Sequence, residues 1–389
     1  MATDFEAAAD AILNRVARSE PRVPGVVAMV TDPHRNIYEG AAGKRRLDRD
    51  ADIPTDTVFG IFSTTKAITG TAALQLVEEG KLDLNDPVEK YRPEFANLQV
   101  LEGFDGETPR LRAPKSKATV RQLASHTTGL TYWFWNDDVT RWEQATGTPN
   151  VLSGSEQIFT APLVADPGTT YEYGINTDWL GRVVEAASDT PLDVYVTENI
   201  LKPLGMEHTA FAIGDEQRAD LVPIHLRGED GAWAGTEIDW APNPDYWAGG
   251  HGLYSTPRDY LRFQRMLLHS GTLDGVQILE HETVDAAFSN QIGSLDFPER
   301  IATADPASSA DFVAGPDFKF GLGLLLNVHD IPGARKRGSG AWAGLFNTHF
   351  WVDPRTGVTG AIYSQTLPFV EPPVFGMYAD FEKALYASL

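Results

Sequence analysis

Apolar residues recur at helical spacing from the start of the chain. Phe5, Ala8, Ile12, Leu13 and Val16 fall on one face of "MATDFEAAADAILNRVARSE", which predicts an amphipathic helix. The pattern then shortens to β-like runs. In "VPGVVAMVTDPHRNIYEGAAG" two such runs flank the turn signal Asp32-Pro33-His34-Arg35-Asn36, which predicts an antiparallel hairpin. "TDTVFGIF" reads as a short extended approach to Ser63. From Ser63 to Glu79 the spacing is helical again, with Ala67, Ile68, Ala72, Leu76 and Val77 near one stripe and Gly80 as a stop. Further on, "LDLNDPVEKYRPEF" predicts a turn and a short helix, "TVRQLASHTTGL" a helix closing in a His-Thr-Thr-Gly turn, and "TDWLGRVVEAASD" and "LDVYVTENILKPLGM" two more helices. Residues 222–250, rich in Trp, Pro and Gly, read as loop. "TPRDYLRFQRMLLHSG" restores a helix, with Pro257 in its first turn and Gly271 near its end.

The last third changes character. "FKFGLGLLLNV", "FNTHFWVD" and "GVTGAIYSQT" predict strands, and "PVFGMYADFEKALYASL" a closing helix. Strands at both ends of the chain, with helices between, imply one sheet assembled from distant segments. The expected organisation is an α/β domain of the α+β type from residues 1–85 and 216–389, with an antiparallel sheet flanked by helices. A mainly helical domain, 86–215, is inserted into it, and the active site is expected between the two.

Composition narrows the partners. Acidic residues outnumber basic ones 54 to 32, a net charge of −22, which argues against nucleic acid and anionic membrane surfaces. With no cysteine, there is no disulfide, thiolate nucleophile or cysteine metal site. No window approaches the roughly 18 apolar residues that span a bilayer. The acidic N-terminus is unlike a secretory signal, so a cytoplasmic location is expected. No histidine pair has metal-ligand spacing, so neither metal nor organic cofactor is expected.

Candidate chemistry lies in "GIFSTTKAITG". Ser63 and Lys66, three residues apart on a helix, project from one face with Cβ atoms about 5–6 Å apart. A serine hydroxyl becomes a competent nucleophile when a neighbouring base takes its proton, and a lysine is such a base only once desolvation lowers its pKa. Alone, S-x-x-K describes a helix cap followed by a solvated lysine equally well. Two other stretches bear on it. "PGTTYEYGINTDWLG" sets Tyr173 after a Pro-Gly turn and before a helix, and "GSGAWAGLFNTHFWVDP" sets a Gly-rich bend at the start of a strand. No serine sits in a G-x-S-x-G frame.

With those stretches, and with "LNDPVEKYRPEF", "TVRQLASHTTGL", "LKPLGMEHTAF" and "GGHGLYSTPRDYLRF", the chain resembles the serine β-lactamase/penicillin-binding-protein superfamily. Within it, the likeness is to the class C-like branch called family VIII carboxylesterases, from "PGVVAMV" to "FWVDP". The resemblance implies a β-lactamase/transpeptidase-like fold. It also implies a serine hydrolase that cleaves small-molecule esters of short-chain acids through an acyl-serine intermediate. Carried over by position, Ser63 is the nucleophile, Lys66 its proton partner and Tyr173 the tyrosine of the second motif. The N–H groups of Ser63 and Leu345 form the oxyanion hole. The second motif departs from Y-x-N: it reads Tyr173-Gly174-Ile175, with Asn176 one place late. In the third motif, Trp342-Ala343-Gly344 stands where lactam-binding relatives carry Lys-Thr-Gly or His-x-Gly. A tryptophan cannot pair with a substrate carboxylate, which favours neutral esters. His126 resembles a structural turn residue. Trp342, Ala343, Gly344, Tyr132, Trp133, Trp135, Ile175 and Trp247 are the expected pocket residues, although loop aromatics serve equally to pin loops to the helices. β-Lactamase or D-Ala-D-Ala-type peptidase activity, acyl transfer to an alcohol, and a non-catalytic binding protein are the alternatives. The sequence leaves oligomeric state open.

Overall fold

A computed structural model describes residues 2–18, 22–315 and 317–389. Its centre is a seven-stranded antiparallel sheet built from β1 (Gly25–Thr31), β2 (Asn36–Gly43), β3 (Phe318–Phe320), β4 (Leu325–Asn327), β5 (Gly340–Gly344), β6 (Thr348–Asp353) and β7 (Val358–Tyr363). Across the sheet the order is β3-β4-β5-β6-β7-β1-β2, so the N-terminal hairpin docks onto the C-terminal strands through β1 and β7. Val27 faces Tyr363 in that pairing.

One face of the sheet is covered by α1 (Ala2–Arg18) and α6 (Pro372–Ser388). Phe5 sits edge-on to Tyr38 and Phe381, closing an apolar layer that includes Leu13, Trp351 and Leu385. The predicted first helix is confirmed over the described residues, and positions 1, 19 and 20 of that segment lie outside them. The other face carries α5 (Pro257–Leu268), while α4 (Asn176–Ser188) packs against both α2 (Thr65–Glu78) and α3 (Val120–Ala124). Helix α2 departs from the stripe its sequence predicts. It is buried on every side from Thr65 to Leu74, because α4 packs along it and the turn at Leu322–Gly323 and the Gly249 loop close on it as well. Helix α3 starts at a capping box, with the Thr119 side chain accepting from the Gln122 N–H and the Gln122 side chain accepting in return.

Three details correct the sequence reading. "FKFGLGLLLNV" is two strands, β3 and β4, joined by a turn at Gly321–Leu324 in which Gly323 takes φ +84°. Within 86–215, Val100–Asp105 and Thr108–Arg112 form a hairpin that helical periodicity could not reveal. The loop-like stretch 222–250 holds two short strands, His225–Arg227 and Trp233–Gly235, the first running parallel to Thr366–Leu367. Among the described residues, no helix is long and apolar enough to cross a membrane.

Candidate active site

Ser63 lies in a single tight turn, Phe62–Thr64, that leads directly into α2. Phe62 is held at φ +44°, a region bulky residues avoid. Such strain persists only where the surroundings over-determine it. Here the Ile61 carbonyl accepts from Thr64 Oγ1 at 2.7 Å and from Thr348 Oγ1 of β6 at 3.0 Å. The Ile61 N–H donates to Leu253. Strand β5 presses against the same turn. A Cβ on Gly344 would lie 2.6 Å from the Ile61 carbonyl oxygen and 2.2 Å from Thr348 Oγ1, so only glycine allows this approach. The next residue, Leu345, packs with Phe62 and Phe346, which brings the end of β5 beside Ser63.

One turn along, Lys66 is fully buried. Its Nζ lies 3.1 Å from Ser63 Oγ and donates to the Gly250 carbonyl at 2.8 Å and to Tyr132 Oη at 3.1 Å. Burial drives its pKa down to about 7, against the opposing pull of the Asp178 carboxylate. The solvated-lysine reading of S-x-x-K fails here: α2 is buried all round, so its lysine is desolvated.

Tyr173 approaches from the loop before α4. Its hydroxyl accepts from Trp342 Nε1 of β5 at 3.2 Å, and Tyr173 and Ser63 line the same cavity. Burial raises its pKa, and the hydrogen bonds only partly offset that, so the phenol keeps its proton at neutral pH. The Tyr173 ring also lies beneath Lys66, 4.8 Å from Nζ to the centroid. Ser63 and Lys66, read from one stretch, and Tyr173, read from a distant one, therefore converge. Ser63 keeps 8% of its surface exposed at the floor of an apolar cavity of about 350 Å³.

A family model described as Beta-lactamase matches residues 6–384. The chain belongs to the β-lactamase family. It is 31% identical to monacolin J acid methylbutanoyltransferase of Aspergillus terreus, over 99% of this chain and 98% of the relative. It is 30% identical to lovastatin esterase of Penicillium rubens, over 92% and 91% respectively. Among solved structures, a mutant of simvastatin synthase from Aspergillus terreus superposes with a TM-score of 0.84 at 29% identity, covering 100% of this chain and 96% of that one.

Two site residues of this β-lactamase-family chain do what their sequence context did not announce. Tyr132 does not line the cavity over Ser63: its hydroxyl meets Lys66, and its N–H donates to the Tyr173 carbonyl at 3.0 Å, locking the two loops together. Asp178, in the first turn of α4, is fully buried beside the lysine. Its Oδ1 accepts from the Gly250 N–H at 2.9 Å and lies 3.6 Å from His251 Nδ1. A Cβ on Gly250 would come within 2.4 Å of Oδ2, so the glycine lets the loop close onto the carboxylate. His251 is held neutral, its pKa pushed down to about 4 mainly by burial. In the sequence Asp178 reads as an ordinary first-turn acid. Only its partner, 72 residues away in "GGHG", reveals its place.

The expected pocket divides. Trp135, Trp342, Ala343 and Leu345 line the cavity over Ser63. Gly344 instead serves the close approach of β5. Trp133, Ile175 and Trp247 do not line the cavity. Trp133 donates Nε1 to Asp305 at 3.1 Å, and Ile175 lines a much smaller space with Thr131 and Trp133. Trp247 packs on Phe211. Asn176, one place late in the second motif, does not reach Lys66. Its Nδ2 donates to the Leu130 and Glu172 carbonyls and lies 3.1 Å from His126 Nδ1. His126 itself takes φ +56° in the turn after α3 and is buried, with its pKa well below the ordinary value. Among the described residues, no group of three or more histidine and carboxylate side chains is placed to hold a metal ion.

Proposed function

We propose that this protein is a serine esterase and acyltransferase that forms an acyl-Ser63 intermediate from neutral carboxylic esters of small acids. It fits the family VIII branch, passing the acyl group to water or to an alcohol. The observation that carries this is the 3.1 Å approach of a fully buried lysine, its pKa brought to about 7, to the Ser63 hydroxyl, which lines the cavity. Lys66 takes the proton from Ser63 Oγ as that oxygen attacks the ester carbonyl. The carbonyl oxygen gains negative charge beside the start of α2, where the N–H groups of Ser63 and Leu345 stabilise it. Tyr173, protonated at neutral pH, donates its proton to the departing alkoxide, and the Lys66 ammonium restores it. Water or an alcohol then gives its proton back along the same path and releases the acyl group, returning Ser63 to its hydroxyl form.

Trp342 supports ester over lactam chemistry. Its indole N–H is engaged with Tyr173, and no cation stands at its position to hold a carboxylate. Acyl transfer is favoured as a second outcome because relatives of both kinds, a methylbutanoyltransferase and an esterase, align over nearly the whole chain. Parallel assays on short-chain p-nitrophenyl esters and nitrocefin test the reading. Ester turnover with little or no nitrocefin cleavage is expected, and the reverse pattern would overturn it. Adding a second alcohol to the ester assay measures transfer directly, as a new ester formed at the expense of free acid.

A further inference from the structure

The cavity over Ser63 continues well past the catalytic groups. Strand β5 pairs with β6 along its whole length, but β4 reaches only Gly340 and Ala341. From Trp342 onward, β5 therefore has a free edge on that side. Alternation along the strand turns Trp342 toward Tyr173 and turns Ala341 and Ala343 toward α6. These two small side chains leave room between strand and helix. The cavity follows the free edge from Ser63 to Phe375, Tyr378 and Ala379 on α6. A hairpin, Arg300–Ile301 against Phe312–Val313, roofs it, and Phe312 rests edge-on against Phe375 at 5.3 Å.

The far end offers no buried unpaired charge: of the two cations on its lining, Lys383 is exposed to solvent. Arg335 reaches the cavity, but its guanidinium is held by both Glu382 oxygens, at 2.8 and 2.9 Å, and by Tyr378 Oη at 2.6 Å. An anionic group would find the buried cation already neutralised, so the buried part of the trough suits an uncharged group.

We infer that the trough holds the alcohol half of the ester, an alcohol whose oxygen is carried on an extended, uncharged, hydrocarbon-rich skeleton. The inference rests on the acyl-Ser63 reading. The oxygen that leaves must sit at the Tyr173 hydroxyl, the group that protonates it, and that hydroxyl is pinned against Trp342 where the free edge of β5 begins. What is attached to the oxygen therefore enters the trough, while the acyl carbon stays on Ser63. The same trough would admit the acceptor alcohol in transfer.

Two ester series separate the halves: n-alkyl acetates from ethyl to hexyl, and ethyl alkanoates from acetate to hexanoate, followed by pH-stat. Each methylene moved out of water is worth about threefold to fourfold in kcat/KM. The alkyl acetates should therefore rise by about two orders of magnitude from ethyl to hexyl, and the ethyl alkanoates should not. Within single variants, the hexyl-to-ethyl acetate ratio should collapse in Ala379→Trp, which fills the far end, and fall in Phe312→Ala, which thins the roof. Each ratio is its own control for folding and active fraction. Flat profiles in both series, or a rise with the acyl chain instead, would overturn the inference while ethyl acetate turnover leaves the acyl-serine reading intact. No turnover of any ester, with no covalent labelling of Ser63, would remove that reading first.

Discussion

The proposed chemistry turns on a lysine that burial suits to act as a base. With the Lys66 pKa brought to about 7, the free amine dominates above neutrality and the ammonium below it. Because the proposed step needs the amine, kcat/KM should fall on acidification with an apparent pKa near 7, approaching tenfold per pH unit below it. A flat rate between pH 5 and 9 would contradict that. The Asp178 carboxylate favours the ammonium form, so it holds the lysine pKa higher than burial alone would. Removing its charge in Asp178→Asn should move the acid limb to lower pH, measured as a shifted kcat/KM profile beside an unchanged far-UV spectrum. The other titratable groups at the lysine are the Tyr132 and Tyr173 phenols and the neutral His126 and His251, none of which carries charge near pH 7. Tyr173→Phe keeps the ring over Lys66 and loses the donor, so a loss of about 10²–10⁴ in kcat is expected in a folded protein. Near-normal turnover would take Tyr173 out of the mechanism.

At the scale of elements, the site depends on how closely β5 can approach the nucleophile turn. Gly344→Ala places a methyl into the Ile61 carbonyl and Thr348 Oγ1, so β5 must move away from Ser63. In the proposed mechanism, that shift removes one oxyanion donor, a loss of about 10²–10³ in kcat, and steady-state kinetics should show that drop with a much smaller change in KM. The glycine at this position was legible in the third motif, but its reason was not, because the clash lies with Thr348 across the sheet and with the Ile61 carbonyl of a turn far earlier in the chain. The same limit explains the divided aromatic pocket. "LTYWFWNDD" announces a cluster of rings, yet backbone direction at each residue decides which one faces the lysine, the cavity or the helical core. Tyr132 and Trp133 are neighbours in sequence and point to Lys66 and Asp305 respectively. Burial of α2 on all sides was equally hidden, since Thr65, Thr69 and Thr71 look polar in the sequence, yet Thr65 accepts from Leu253, Thr69 donates to Gly249 and Thr71 donates to its own helix at Ala67.

Across the whole molecule, the order of elements was readable because period 2 and period 3.6 alternate cleanly at both ends of the chain. That is why the sheet shared by the N-terminal hairpin and the C-terminal strands could be anticipated from "VPGVVAMV" and "GVTGAIYSQT", which pair as β1 and β7. The trough was not readable, because it follows from where β4 stops pairing, a register property that no local pattern encodes. Nor was the pairing of Asp178 with the Gly250 loop, which joins two segments that only the finished fold brings together. The central claim is that the hydroxyl of Ser63 is the group that becomes acylated. It is tested most directly by treating the protein with a fluorophosphonate and mapping the adduct by mass spectrometry. Trypsin releases the relevant stretch as residues 50–66, "DADIPTDTVFGIFSTTK". One phosphonyl group on Ser63 of that peptide, lost in Ser63→Ala, is the predicted result; an adduct on any other side chain, or none at all in folded protein, would contradict it.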